Sequence, residues 1–161
     1  MSIEDLELDG QKILLRVDFN VPLEEGEVRD DSRIRAALPT INYLLNKKAK
    51  VALLSHLGRP HGEVKTELRM DPIAIKLNEL MGVPVQKLDQ VTGPFVKKVI
   101  DELPPGTVLL LENIRFEEGE ENNDTNLSRL LAEPYDYFVN DAFGTAHRAH
   151  ASTVGVASYI P

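Results

Sequence analysis

The chain has 161 residues, with 18 Lys and Arg against 26 Asp and Glu and a formal net charge of -8. One domain fits that length, and the acidic balance argues against a general nucleic-acid or anionic-membrane surface, since both partners would be repelled. There is no cysteine, which removes disulfides and thiol chemistry, and neither a signal peptide nor a membrane-length apolar run is present, so a soluble cytoplasmic protein is expected.

Apolar, β-branched runs at Lys12–Val17, Ala49–Leu54, Val83–Gln86, Thr107–Glu112 and Asp136–Asn140 predict strands buried on both faces. Helical patterns lie between them. Asp31 and Ser32 are N-cap candidates for a helix whose apolar positions Ile34, Ala37, Leu38, Ile41, Leu44 and Leu45 follow the 3.6 period, and Pro39 inside it predicts a kink or a late start. Asp71-Pro72 reads as N-cap and N1 of a second helix closed by Gly82. Thr92-Gly93-Pro94 starts a third that ends before Pro104-Pro105-Gly106, and Asp124 to Glu133 makes a short fourth. Strands alternating with helices predict an α/β fold: a three-layer α/β/α, Rossmann-like domain with a mainly parallel sheet of five to six strands. Ser55 to Met70 interrupts the pattern as a long polar connection, a length that in a compact domain usually serves function.

Four arginines, Arg33, Arg59, Arg115 and Arg148, each follow a strand-like run or its turn. In an open parallel sheet the loops beyond the carboxyl ends of the strands converge on one crevice, so this placement predicts a pocket for a small, highly charged anion. Arginine suits that task because its planar fork stays protonated and binds phosphate or carboxylate bidentately. In Arg16-Val17-Asp18-Phe19-Asn20-Val21-Pro22, Asp18 and Asn20 face the same way; they fit either a substrate hydroxyl and acid group or an Asx-turn. In Ser55-His56-Leu57-Gly58-Arg59-Pro60, His56 and Arg59 can donate to an anion, with a capping role for His56 as the alternative. Leu111-Glu112-Asn113-Ile114-Arg115-Phe116 repeats the arrangement, and so does Asn140-Asp141 through Arg148 to His150. His147 and His150 are three apart, but no third ligand stands at metal spacing, so no metal is expected. Neither a Gly-x-x-x-x-Gly-Lys-Ser/Thr loop nor a Gly-x-Gly-x-x-Gly turn occurs, so no usual nucleotide cradle is encoded. A phospho-receiver domain would explain Asp18 and leave the arginines unused.

The four segments RVDFNVP, SHLGRP, LLLENIRF and NDAFGTAHRAHAST, in this order, resemble the N-terminal domain of phosphoglycerate kinase from about Lys12 to Gly155. The resemblance implies that residues 1–161 form the substrate-binding domain, holding 3-phosphoglycerate or 1,3-bisphosphoglycerate. Mg-ATP or Mg-ADP would be bound by a C-terminal nucleotide domain that these residues do not include, so the chain alone is expected not to turn over. It implies that Asp18 and Asn20 bind the substrate's hydroxyl and carboxyl end and that Arg33 is the catalytic arginine. His56, Arg59, Arg115 and Arg148 would cradle the non-transferred phosphate. A monomeric full-length enzyme is implied; the rival reading is a stand-alone, non-catalytic anion-binding module.

Overall fold

The computed structural model describes residues 7–141, 151–157 and 159–160. Five parallel strands, β1 (Lys12–Val17), β4 (Lys50–Leu54), β5 (Val85–Lys87), β6 (Val108–Leu110) and β7 (Tyr137–Asp141), form one sheet in the order β5-β6-β4-β1-β7. Four helices connect them: α1 (Ser32–Asn46), α2 (Asp71–Met81), α3 (Pro94–Asp101) and α4 (Thr125–Ala132). Alternation along the strands sorts the core into two halves. Ile13, Leu15, Val51, Leu53, Val108 and Leu110 face Ile34, Ile41, Leu44, Ile73 and Leu77 of α1 and α2. Leu14, Ala52, Leu54 and Leu109 face Val96 and Ile100 of α3 and Leu127 and Leu131 of α4. Crossover handedness explains the division: β1 to β4 and β4 to β5 step one way across the sheet, β5 to β6 and β6 to β7 step back, and reversing direction at constant hand moves the helices to the other face.

The three central strands are buried as the sequence predicts, whereas edge strands β5 and β7 are mostly half-buried. A small antiparallel hairpin, β2 (Leu23–Glu24) with β3 (Glu27–Val28), was not anticipated. Its turn has Glu25 and Gly26 at φ 51° and 78°, the positive pair that a two-residue hairpin of matching twist needs.

Helix α1 starts at Ser32 and runs through Pro39, so the late start is not seen. Pro39 and Arg35 are both exposed, and Pro39 leaves the Arg35 carbonyl without its helical partner. Asp31 is the N-cap as expected but makes no side-chain cap bond: Asp30 Oδ1 accepts from the Ser32 N–H at 2.9 Å, while Asp31 Oδ1 accepts from Arg35 Nε at 3.0 Å. Helix α2 begins one residue earlier than expected, with Met70 as N-cap, and ends at Gly82 in the left-handed region. Asp124 caps α4 by accepting from the Leu127 N–H at 2.8 Å.

Candidate functional site at the carboxyl edge of the sheet

Register places Arg16 level with Leu54 of β4 and Asn140 of β7, so the loops after β1, β4 and β7 leave the sheet side by side. After β1 the strand alternation continues: Phe19 and Val21 are buried in the core, while Asp18 and Asn20 are partly exposed. Asp18 Oδ1 accepts from the Asn20 N–H at 3.2 Å, so the Asx-turn reading is realised, and the same oxygen meets Arg33 Nη1 at 3.4 Å. Arg33 also donates to the Asn20 carbonyl at 2.8 Å. Asn20 Oδ1 accepts from the Gly58 N–H at 2.9 Å, and its side-chain NH2 has no partner among the described residues.

Gly58 holds φ at +63°, and a Cβ there would stand 2.8 Å from Leu68 Cδ2, so a glycine lets the loop after β4 lean onto Asn20. Upstream, Ser55 Oγ accepts from the Phe19 N–H at 2.9 Å and donates to the His56 carbonyl at 3.0 Å. His56 is buried with Nδ1 2.9 Å from Arg16 Nη2. A guanidinium has no acceptor, so Nδ1 accepts and a neutral His56 carries its proton on Nε2. His56 is therefore oriented as an Nε2–H donor rather than serving only as a cap.

Arg16 lies wholly buried at the end of β1. Its Nε donates to Ser152 Oγ at 3.1 Å and its Nη1 to the Val17 carbonyl at 2.7 Å. Burial pulls its pKa below the ordinary guanidinium value to about 10, opposed by the charge of Glu120 and reinforced by that of Arg115. Glu120, also wholly buried, accepts from the N–H and the hydroxyl of Ser152. Sequence reading passed over Arg16, although a charged residue inside the apolar run Ile13-Leu14-Leu15-Arg16-Val17 marks a buried polar device.

After β6 the chain turns into a short 3-10 segment, Ile114–Phe116, that carries Arg115. Arg115 is 7% exposed, with Nε 3.7 Å from Glu121 Oε1. Two residues that the sequence reading quoted without a role organise this corner. Buried Glu112 accepts from the Met70 N–H and the Asn113 N–H, both at 2.9 Å, and meets Arg69 and Lys87 through its other oxygen. Buried Asn113 donates to the carbonyls of Leu57 and Leu68 at 2.8 and 3.0 Å, and accepts from the N–H groups of Leu57 and Arg115 at 3.2 and 3.1 Å. Its side chain is saturated by backbone groups from three places in the chain.

Of the expected residues, Asp18, Asn20, Arg33, His56 and Arg115 line this edge through a continuous set of hydrogen bonds, and Arg59 stands exposed one residue beyond Gly58, without an ion pair or hydrogen bond among the described residues. Arg148, His147 and His150 lie outside the described residues.

Asp71, Asp89 and Glu112 are spaced as a metal site would need. The Lys87 ammonium lies among them, 2.6 Å from Asp71 and 2.7 Å from Asp89, and supplies the positive charge itself. This cluster does not fit a magnesium ion. The 440 Å³ hollow at the start of α4 is lined by Glu117, Glu118 and Asp124, the wrong sign for an anion. No helix among the described residues is long and apolar enough to cross a membrane.

A family model described as phosphoglycerate kinase matches residues 3–161. The chain is 61% identical over 160 residues to the phosphoglycerate kinase of Rubrobacter xylanophilus, covering 99% of this chain and 41% of that protein. It is 58% identical over 161 residues to that of Moorella thermoacetica, covering 100% and 41%. Among solved structures it matches phosphoglycerate kinase from Pyrococcus horikoshii with a TM-score of 0.89 at 36% identity, covering 100% of this chain and 41% of that one. The Coxiella burnetii enzyme matches with a TM-score of 0.85 at 41% identity, over 99% and 40%. The chain thus spans about two fifths of the length of the relatives it matches.

Proposed function

Because the chain belongs to the phosphoglycerate kinase family, we propose that it forms the acid-substrate half of such a kinase. It would hold 3-phosphoglycerate in one direction and 1,3-bisphosphoglycerate in the other, for reversible phosphoryl transfer with ATP and ADP in glycolysis. The observation that carries the reading is the clustering of oriented donors at one sheet edge: the Nε2–H of His56, the side-chain NH2 of Asn20, and the guanidinium groups of Arg33 and Arg115. A preorganised set of donors gains anion affinity without reorganising at the moment of binding.

In this reading Asp18 and Asn20 take the hydroxyl and carboxyl end, and His56, Arg59, Arg115 and Arg148 neutralise the phosphate that stays on the substrate. Arg33 is the catalytic group, placed by the Asn20 carbonyl and Asp18 to balance charge on the phosphoryl group in flight. Phosphoryl transfer asks the protein mainly for positioning and charge neutralisation, which these residues can supply. In this reading the magnesium nucleotide supplies the other partner of the transfer; the carboxylate trio Asp71, Asp89 and Glu112 is committed to Lys87 and would not hold the ion. A cytoplasmic, monomeric enzyme fits this role.

The test is an NMR titration of the labelled chain with 3-phosphoglycerate, with ATP and magnesium as the parallel control. Saturable shifts at Asp18, Asn20, Arg33, His56, Arg59, Arg115 and Arg148, with none from the nucleotide, are expected. A folded chain that ignores 3-phosphoglycerate would refute the reading.

A further inference from the structure

The loop from Ser55 to Met70 brings His56 and Arg59 to the site, and the turn at residues 114–116 brings Arg115. The loop leaves β4 and the turn leaves β6, which are paired strands, and two backbone bonds join them directly, from the Ile114 N–H to the Ser55 carbonyl at 3.1 Å and from the Gly62 N–H to the Arg115 carbonyl at 3.0 Å. One side chain adds to these at both ends of the loop. The Asn113 Oδ1 accepts from the Leu57 N–H and the Arg115 N–H together, one residue from His56 and at Arg115 itself. Its Nδ2 donates to the carbonyls of Leu57, at the loop's start, and Leu68, near its end. Glu112 ties down the next residues of the loop through the Met70 N–H and Arg69, and holds the Asn113 N–H as well.

We propose that Asn113, braced by Glu112, is a positioning residue of the anion site, setting the spacing between the loop of His56 and Arg59 and the turn of Arg115. The assignment rests on the substrate reading above and adds to it a residue that touches no ligand. The charges of Arg115 and of Arg16, which also bonds His56, oppose each other when no anion lies between them. The loop's one regular element is the 3-10 turn Thr66–Leu68, and the four hydrogen bonds of a wholly buried amide add to the two backbone bonds in holding it against that repulsion. Only asparagine presents two donors and a two-lone-pair acceptor at this length. Aspartate has the shape without the donors, and serine has neither the reach nor the second donor.

The test uses the 161-residue chain, with 3-phosphoglycerate as probe and amide hydrogen exchange as second readout. Asn113→Asp is expected to weaken binding about tenfold or more, and to make Arg115→Ala nearly silent in the same background, because a displaced arginine has little left to lose. An Arg115→Ala effect of equal size in both backgrounds, or Asn113→Asp binding within about threefold of wild type, would overturn the assignment. If Asn113→Asp does not fold, Asn113→Ser, which adds no charge, carries the same cycle. In either variant the Leu57 and Arg115 amides should exchange about tenfold faster while those of Leu14 and Val51 in the sheet keep their protection; an equal change at all four would mean general destabilisation and sink the proposal. A wild-type chain that does not bind 3-phosphoglycerate defeats the substrate reading instead, since the exchange readout needs no ligand.

Discussion

In the proposed anion site Arg33 and Arg115 are held in contrary ways. The Arg33 side chain is 54% exposed on the first turn of α1, resting on Asp18 and a backbone carbonyl, whereas Arg115 is 7% exposed in a corner braced by buried side chains. The first can be replaced with little consequence for folding, because water already solvates it. The second is part of a buried polar network in which each group relies on the others for its solvation. In the proposed reading, a site that grips one phosphate firmly and steadies another only during transfer would gain from this division, since the firm end is set before the ligand arrives.

Four substitutions can break or sharpen the contrast. The largest effect is expected at Arg16, which links His56 to Ser152 beside Glu120. Arg16→Met should lower stability by about 3 kcal/mol, because it strands a buried carboxylate, and urea unfolding followed by circular dichroism checks it. A loss below about 1 kcal/mol would mean that the buried end is no more interdependent than the exposed one.

A smaller effect, with a pH signature, is expected at Lys87. Burial lowers its pKa, but hydrogen bonds to Asp71, Asp89 and Glu112 outweigh burial and hold it above 10.5. A base whose folded pKa is raised adds stability that is complete below its unfolded pKa of 10.5 and is lost as pH climbs through the folded value. Wild type should therefore exceed Lys87→Met in urea unfolding at pH 8, with the gap closing above about pH 10.5. A gap independent of pH would locate the effect in packing of the lysine stem rather than its charge.

The smallest effect on stability should come from Arg33→Ala, within about 0.5 kcal/mol of wild type, as for exposed ion pairs generally. Joined to a nucleotide-binding half, the same variant should mainly lower turnover, while Arg115→Ala should mainly weaken substrate binding. Equal damage to both parameters in both variants would dissolve the division of labour.

The sheet and its helices were legible in the residues because their signals are local. Ile34, Ile41 and Leu44 repeat at helical spacing, and Lys12 to Val17 is one continuous apolar strand, so each element announces itself within its own length. The placing of Asp18, Asn20, His56 and Arg115 along one edge was also legible, since the loops after parallel strands must share it. What escaped was everything decided by partners far along the chain. Arg16 finds Ser152 136 positions away, and Asn113 finds Leu57 56 positions away. Pro39 does not delay the start of α1, because the buried Ile34, Ala37, Ile41 and Leu44 pack the helix onto the core before and after it, a matter of tertiary contact rather than of local sequence. Local pattern determines which segments become strands, helices and loops, because propensity and periodicity act within a few residues. Only the assembled fold decides which buried polar groups meet, because a hydrogen bond in the interior depends on the distance between two segments once the sheet between them has formed.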